Sequence, residues 1–182
     1  MITTGQAVRA LSVLALGLGS ATAVIAGSPS AAAGPTYPAA SRSATAELPD
    51  PKVKGLACTG GRDVTVVVDF RDLENARGRR LNLVKIGCAN GRPDTGLEAI
   101  AAAGFDLLHR SGFVCRLDGK PLPAQTDCAS EGFWSYWHAE RGGAWVFSSE
   151  GASTWVPPRG SLEGWAWNWY DDPAAAPRVD PS

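Results

Sequence analysis

Asp63-Val64-Thr65-Val66-Val67-Val68-Asp69-Phe70 is the stretch on which the fold turns. Its β-branched side chains are stiff at the first rotatable bond and favour extended backbone, so the segment predicts a strand. The period of two then places Val64, Val66, Val68 and Phe70 on one face.

Outward from this strand, a polar loop carrying Arg77, Gly78, Arg79 and Arg80 leads to Leu81–Cys88. There Leu81 and Leu83 alternate with Asn82 before Val84 and Ile86 take over, which predicts a second strand with a bulge. The period changes at Pro93-Asp94-Thr95-Gly96-Leu97-Glu98. Thr95 can cap a helix with Glu98 as its box partner, Leu97, Ile100 and Ala101 supply an apolar stripe, and Gly104 ends it. The alanines between 99 and 103 suit close packing on a sheet. After Phe105, Leu107 and Leu108, the run Gly112–Gly119 predicts a strand closed by an Asp-Gly turn. Phe133–Ala139 and Ala144–Ser148 flank Gly142-Gly143 as a hairpin, and Pro157-Pro158-Arg159-Gly160 precedes a last strand, Leu162–Trp169. This order predicts an α+β domain: one β-grasp-like sheet, antiparallel or mixed, wrapped over a single short helix with an aromatic C-terminal hairpin.

The four cysteines all follow residue 57. An even count in an oxidising compartment reads as two disulfides, with three pairings open. Antiparallel pairing of the first two strands brings Cys58 near Cys88, while Cys115 and Cys128 bracket a short loop, so those pairings are expected. Closing each loop contributes about 3 kcal/mol in the chain-entropy treatment. The spacings contain no C-x-x-C pair, and His109 and His138 form no H-x-x-x-H group, which argues against zinc.

The flanks set the compartment. Arg9 precedes an apolar run, Ala10–Ile25, and small residues ending at Ala31-Ala32-Ala33 follow, the pattern of a cleavable signal peptide over 1–33. An uncleaved anchor is the rival reading. Gly55-Leu56-Ala57-Cys58 has Gly where a lipoprotein needs Leu, which disfavours lipidation. Residues 34–57 are expected to be a disordered leader and 171–182, with Pro173, Pro177 and Pro181, a disordered tail. That leaves 58–170 as the folded domain of a secreted protein with no membrane span after cleavage. A net charge of -1 without any basic run leaves no electrostatic footprint for nucleic acid.

All seven tryptophans lie between Trp134 and Trp169. Trp134, Trp145, Trp165 and Trp167 can be the core that a small sheet needs. Tyr136, Trp137, Trp155 and Trp169 can instead face outward as a stacking platform. Strand alternation forces a division, because Phe133 and Trp137 point opposite to Trp134 and Tyr136; a second packed layer or a crossing loop could cover the other face. The candidate ligand-binding residues are Trp134, Tyr136, Trp137, His138, Trp145 and Trp155. Catalysis is disfavoured: Ser135 lacks a G-x-S-x-G elbow, and no spacing requires His138 with Glu140 or Asp118, or Glu131 with Glu163, to act as a catalytic pair. No catalytic residue, metal site or cofactor is expected.

Several segments together resemble a family of small secreted actinobacterial proteins: Val64–Phe70, Gly96–Ile100 ending in Ala103-Gly104-Phe105, Gly112–Pro121, Phe133–His138, Gly143–Ser148, Gly151 and Glu163-Gly164-Trp165. These proteins are similar in turn to the C-terminal β-domain of transcobalamin and intrinsic factor. The resemblance implies a β-grasp-like domain, a corrinoid or other small hydrophobic ligand, and a separate α/α-barrel protein as partner. It brings no catalytic residues with it. A cell-surface domain that docks a protein or glycan through its aromatic face is the alternative.

Overall fold

The computed structural model describes residues 48–122, 128 and 131–181. The expected signal peptide and residues 34–47 of the leader lie outside the described residues, as does the unit Met1–Ser41. The described residues belong to one compact unit, Arg42–Ser182.

The valine-rich stretch forms strand β2, Val64–Asp69, buried at every position. It pairs antiparallel with β3, Leu83–Ala89, with Val67 opposite Ile86. β8, Leu162–Trp169, lies on the other side of β2 and runs parallel to it, with Val68 opposite Trp165. β8 in turn pairs antiparallel with all of β6, Gly132–Ala139. The mixed six-stranded sheet is completed by β1, Lys52–Gly55, beside β3 and by β7, Val146–Phe147, beside β6. The chain's last strand therefore sits in the middle of the sheet.

Helix α1, Gly96–Ala102, covers one face. The Thr95 hydroxyl accepts from the Glu98 amide (3.1 Å), as its cap position requires. The Glu98 carboxylate reaches one residue further back than a capping box does, accepting from the Asp94 amide (2.8 Å). Ala99 and Ile100 are buried and Leu97 packs at the margin, but Ala101, expected in the apolar stripe, faces solvent. Beneath the helix, Val64, Val66, Val68 and Phe70 meet Trp134, Trp165 and Trp167. Trp134 stands edge-on to both Phe70 and Trp167, with centroids 5.5 Å apart in each pair. Edge-to-face packing of this kind adds to the benefit of burying the rings.

Both expected disulfides form: Cys58–Cys88 and Cys115–Cys128. Thr65, in register with Cys88, accepts the Cys58 amide on its hydroxyl (3.1 Å) and so fixes the first pair at the end of the β2–β3 ladder.

Three expectations need correction. Lys52–Gly55, assigned to the leader, is an edge strand parallel to β3; all four of its residues are exposed, so no apolar pattern marks it. The sheet is not the only one. Leu107–Arg110 (β4) and Phe113–Leu117 (β5) form a separate antiparallel pair about Ser111-Gly112, whose φ values of 47° and 85° suit a tight hairpin.

The tail is also ordered. It crosses the sheet face opposite α1, where Arg178 forks onto Asp69 through Nε and Nη2 (2.8 Å each). Trp145 donates to the Val179 carbonyl (2.8 Å), and Asn168 accepts the Ala175 amide (2.8 Å). Gly164 permits this cover, because a β-carbon there would overlap the Trp145 ring and Pro177. A second layer over the outer face is thus supplied by the segment expected to be free.

Candidate functional site

The β6–β8 ladder changes character along its length. Directly opposite pairs on the helix-facing side run Trp134 with Trp167, Tyr136 with Trp165, and His138 with Glu163. At the polar end the Glu163 side chain has no exposed surface. A carboxylate so placed must be compensated by donors, and four surround it. Oε2 accepts from the Tyr136 hydroxyl (2.6 Å) and contacts His138 Nδ1 (3.0 Å). Oε1 accepts from the Ser161 hydroxyl (3.0 Å) and from Trp155 Nε1 (3.4 Å). Burial, and secondarily the negative charge and hydrogen bond of Glu163, push the Tyr136 phenol far above its ordinary range, so it stays a proton donor to the carboxylate.

Local structure explains how these groups meet. Tyr136 and His138 are two residues apart on one strand and so share a face. Trp155 comes from a loop pinned to the start of α1, where the Gly96 and Leu97 amides donate to the Trp155 and Ala152 carbonyls (3.1 and 3.0 Å). Those amides are among the donors that a helix start leaves unpaired. Gly96 is needed here, since a side chain would collide with the Tyr136 hydroxyl. Ser161 follows the Pro158 turn and precedes β8.

The His138 ring stacks on Trp155 (centroids 4.0 Å, planes 21° apart) and meets Tyr136 edge-on at 4.7 Å. Its side chain keeps 15% of its surface exposed and lines an open cleft of about 710 Å³. Trp155, Ala144, Val146 and Pro158 give the cleft apolar walls, and Arg141 and Arg159 bring positive charge to it. The arrangement can therefore offer a flat apolar surface, an oriented imidazole and cationic groups to one small molecule.

Of the six candidate residues, Tyr136, His138 and Trp155 converge on Glu163, and His138 and Trp155 line the cleft. Trp134 is core, at 5% exposure. Trp137 lies on the opposite face, donating to Ser135 Oγ (2.8 Å) and packing edge-on against Phe147. Trp145 lies under the tail. His138 pairs with neither Glu140 nor Asp118; Asp118 is engaged by Lys85 at 2.7 Å. Ser161 is absent from the candidates read from sequence, and Glu163 enters there only as a disfavoured catalytic partner of Glu131. A lone acid between Leu162 and Gly164 looks like a solvent-facing strand position, and the only available signal is the β6–β8 register that sets it opposite His138.

Among the described residues no group of three or more His, Cys, Asp or Glu side chains is arranged to hold a metal ion, and no helix is long and apolar enough to cross a membrane. Comparison of the chain with protein-family models, with curated proteins and with solved structures returns no match.

Proposed function

We propose that this chain is an exported, non-catalytic binding module that takes a small, largely apolar ligand into the His138–Trp155 cleft. The observation that carries the reading is the cleft itself: about 710 Å³, apolar-walled, with a few convergent polar groups held by a buried network. Small-molecule sites of roughly 300–1,000 Å³ have this composition. Two disulfides fit an oxidising, extracellular location.

A β-grasp-like architecture belongs to the same proposal. It is supported by the strand order β3-β2-β8-β6, in which the first strand of one antiparallel pair lies parallel and adjacent to the last strand of the other. The resemblance to the transcobalamin β-domain makes a corrinoid the specific ligand to try, and an α/α-barrel protein the partner. An open cleft would grip such a broad ligand by one edge and leave the rest for a second protein. The exposed Val146, Phe147 and Val156, in the segments that wall the cleft, give that second protein apolar surface to cover.

Trp155 makes the test direct. Titration with cobinamide, cobalamin and metal-free porphyrin is expected to quench tryptophan emission, with the quenching reduced in Trp155→Phe. Emission unchanged at micromolar ligand, with and without the barrel partner, overturns the corrinoid assignment.

A further inference from the structure

The hydrogen bonds around Glu163 fix which ligand chemistry His138 can meet. Both carboxylate oxygens act as acceptors: Oε1 for Ser161 and Trp155, and Oε2 for Tyr136. Nδ1 of His138, 3.0 Å from Oε2, must therefore carry the hydrogen in that contact. A neutral imidazole has one donor and one acceptor, so Nε2 is left with its lone pair. Among the described residues none donates to Nε2, and the ring edge that bears it is the part of His138 not committed to Glu163. Stacking on Trp155 and edge contact with Tyr136 hold the ring against rotation. A fixed acceptor in an apolar-walled cleft is costly to cover unless the ligand returns a hydrogen bond.

We infer that the cleft selects small apolar molecules bearing a hydroxyl or N–H group, phenol-like or indole-like, which donate to Nε2 of His138. This rests on the binding reading above and names the ligand class for the same cleft. The cationic groups there, Arg141 and Arg159, lie toward the opening: Arg159 is exposed, and Arg141 already donates to the Cys58 carbonyl (3.3 Å). They can attract an acceptor-only anion but cannot satisfy Nε2 through it.

The test uses the folded chain and three probes of one shape: 2-naphthol, 2-methoxynaphthalene and 2-naphthoate, titrated by calorimetry at pH 8. Leaving the acceptor unpaired makes the expected preference for naphthol over its methyl ether roughly tenfold to a hundredfold. In His138→Phe the preference for naphthol over the ether should vanish, whatever the change in their common affinity. Glu163→Gln, whose side-chain amide can donate to Nδ1 and so permit the tautomer with its hydrogen on Nε2, should reduce the preference, with near-ultraviolet dichroism checking that the domain remains folded. Equal binding of naphthol and ether by the unaltered chain, or a preference that survives His138→Phe, overturns the inference while leaving the cleft reading standing. No binding of any probe at millimolar concentration overturns both.

Discussion

Replacing Arg178 with Ala probes the ordered tail at its strongest point. Asp69 has no exposed side-chain surface, and Arg178 meets it through two guanidinium hydrogen bonds of 2.8 Å and its own amide at 2.9 Å. Removing one partner of a buried pair costs about 3–5 kcal/mol, because the remaining charge stays desolvated. Here Asp69 keeps two donors, the backbone amides of Arg71 and of residue 178 at 2.9 Å each, so the lower end, about 3 kcal/mol, applies. For a unit of this size that corresponds to a fall in Tm of roughly 10 °C. A ceiling exists: the tail can lift away alone, letting water reach Asp69, so the loss cannot exceed the free energy of docking the tail. A chain ending at residue 172 should therefore lose at least as much stability as Arg178→Ala. Urea unfolding followed by tryptophan emission measures both, and Trp145, freed from the Val179 carbonyl, should shift the folded-state emission to the red. A loss below about 1 kcal/mol in both proteins would refute the argument, since a surface ion pair contributes no more than that.

Two further outcomes follow from the core and the crosslinks. The folded-state pKa of Tyr136 is raised, so its contribution is fully present below the unfolded phenol value of about 10 and is lost as pH rises toward the folded value. The unfolding free energy from urea titrations should therefore fall between pH 10 and 12 by about 1.4 kcal/mol per pH unit for this one proton, and that component should disappear in Tyr136→Phe. Cys58→Ser with Cys88→Ser opens a crosslink spanning 30 residues and should cost about 3.5 kcal/mol in the chain-entropy treatment, read as a lower urea midpoint.

What could be read from sequence was whatever left a local mark. The valines of β2, the Thr95 cap and the turn residues near the hairpins are each recognisable within a few positions, and the first disulfide followed from simple antiparallel pairing. The elements missed are stabilised from a distance. β1 is exposed and gains its order from a parallel partner some thirty residues away. The tail is proline-rich and docks through Arg178 onto an acid 109 positions earlier. Two of the five residues in the buried network, Glu163 and Ser161, were missing from the binding candidates for the same reason. Aromatic density pointed to Tyr136, His138 and Trp155, yet the side chain that organises them, Glu163, stands 25 positions beyond His138 and gives no local signal of burial.

Because β8 is the last strand and pairs with both β2 and β6, no strand ladder joins the two halves of the sheet until it arrives. Thr65 and Leu162 must find each other across most of the domain, and non-local pairing of this kind slows assembly. A chain interrupted before residue 162 would present two separate half-sheets with raw inner edges, open to one another and to neighbouring molecules. Arrival of β8 is thus what unites the sheet.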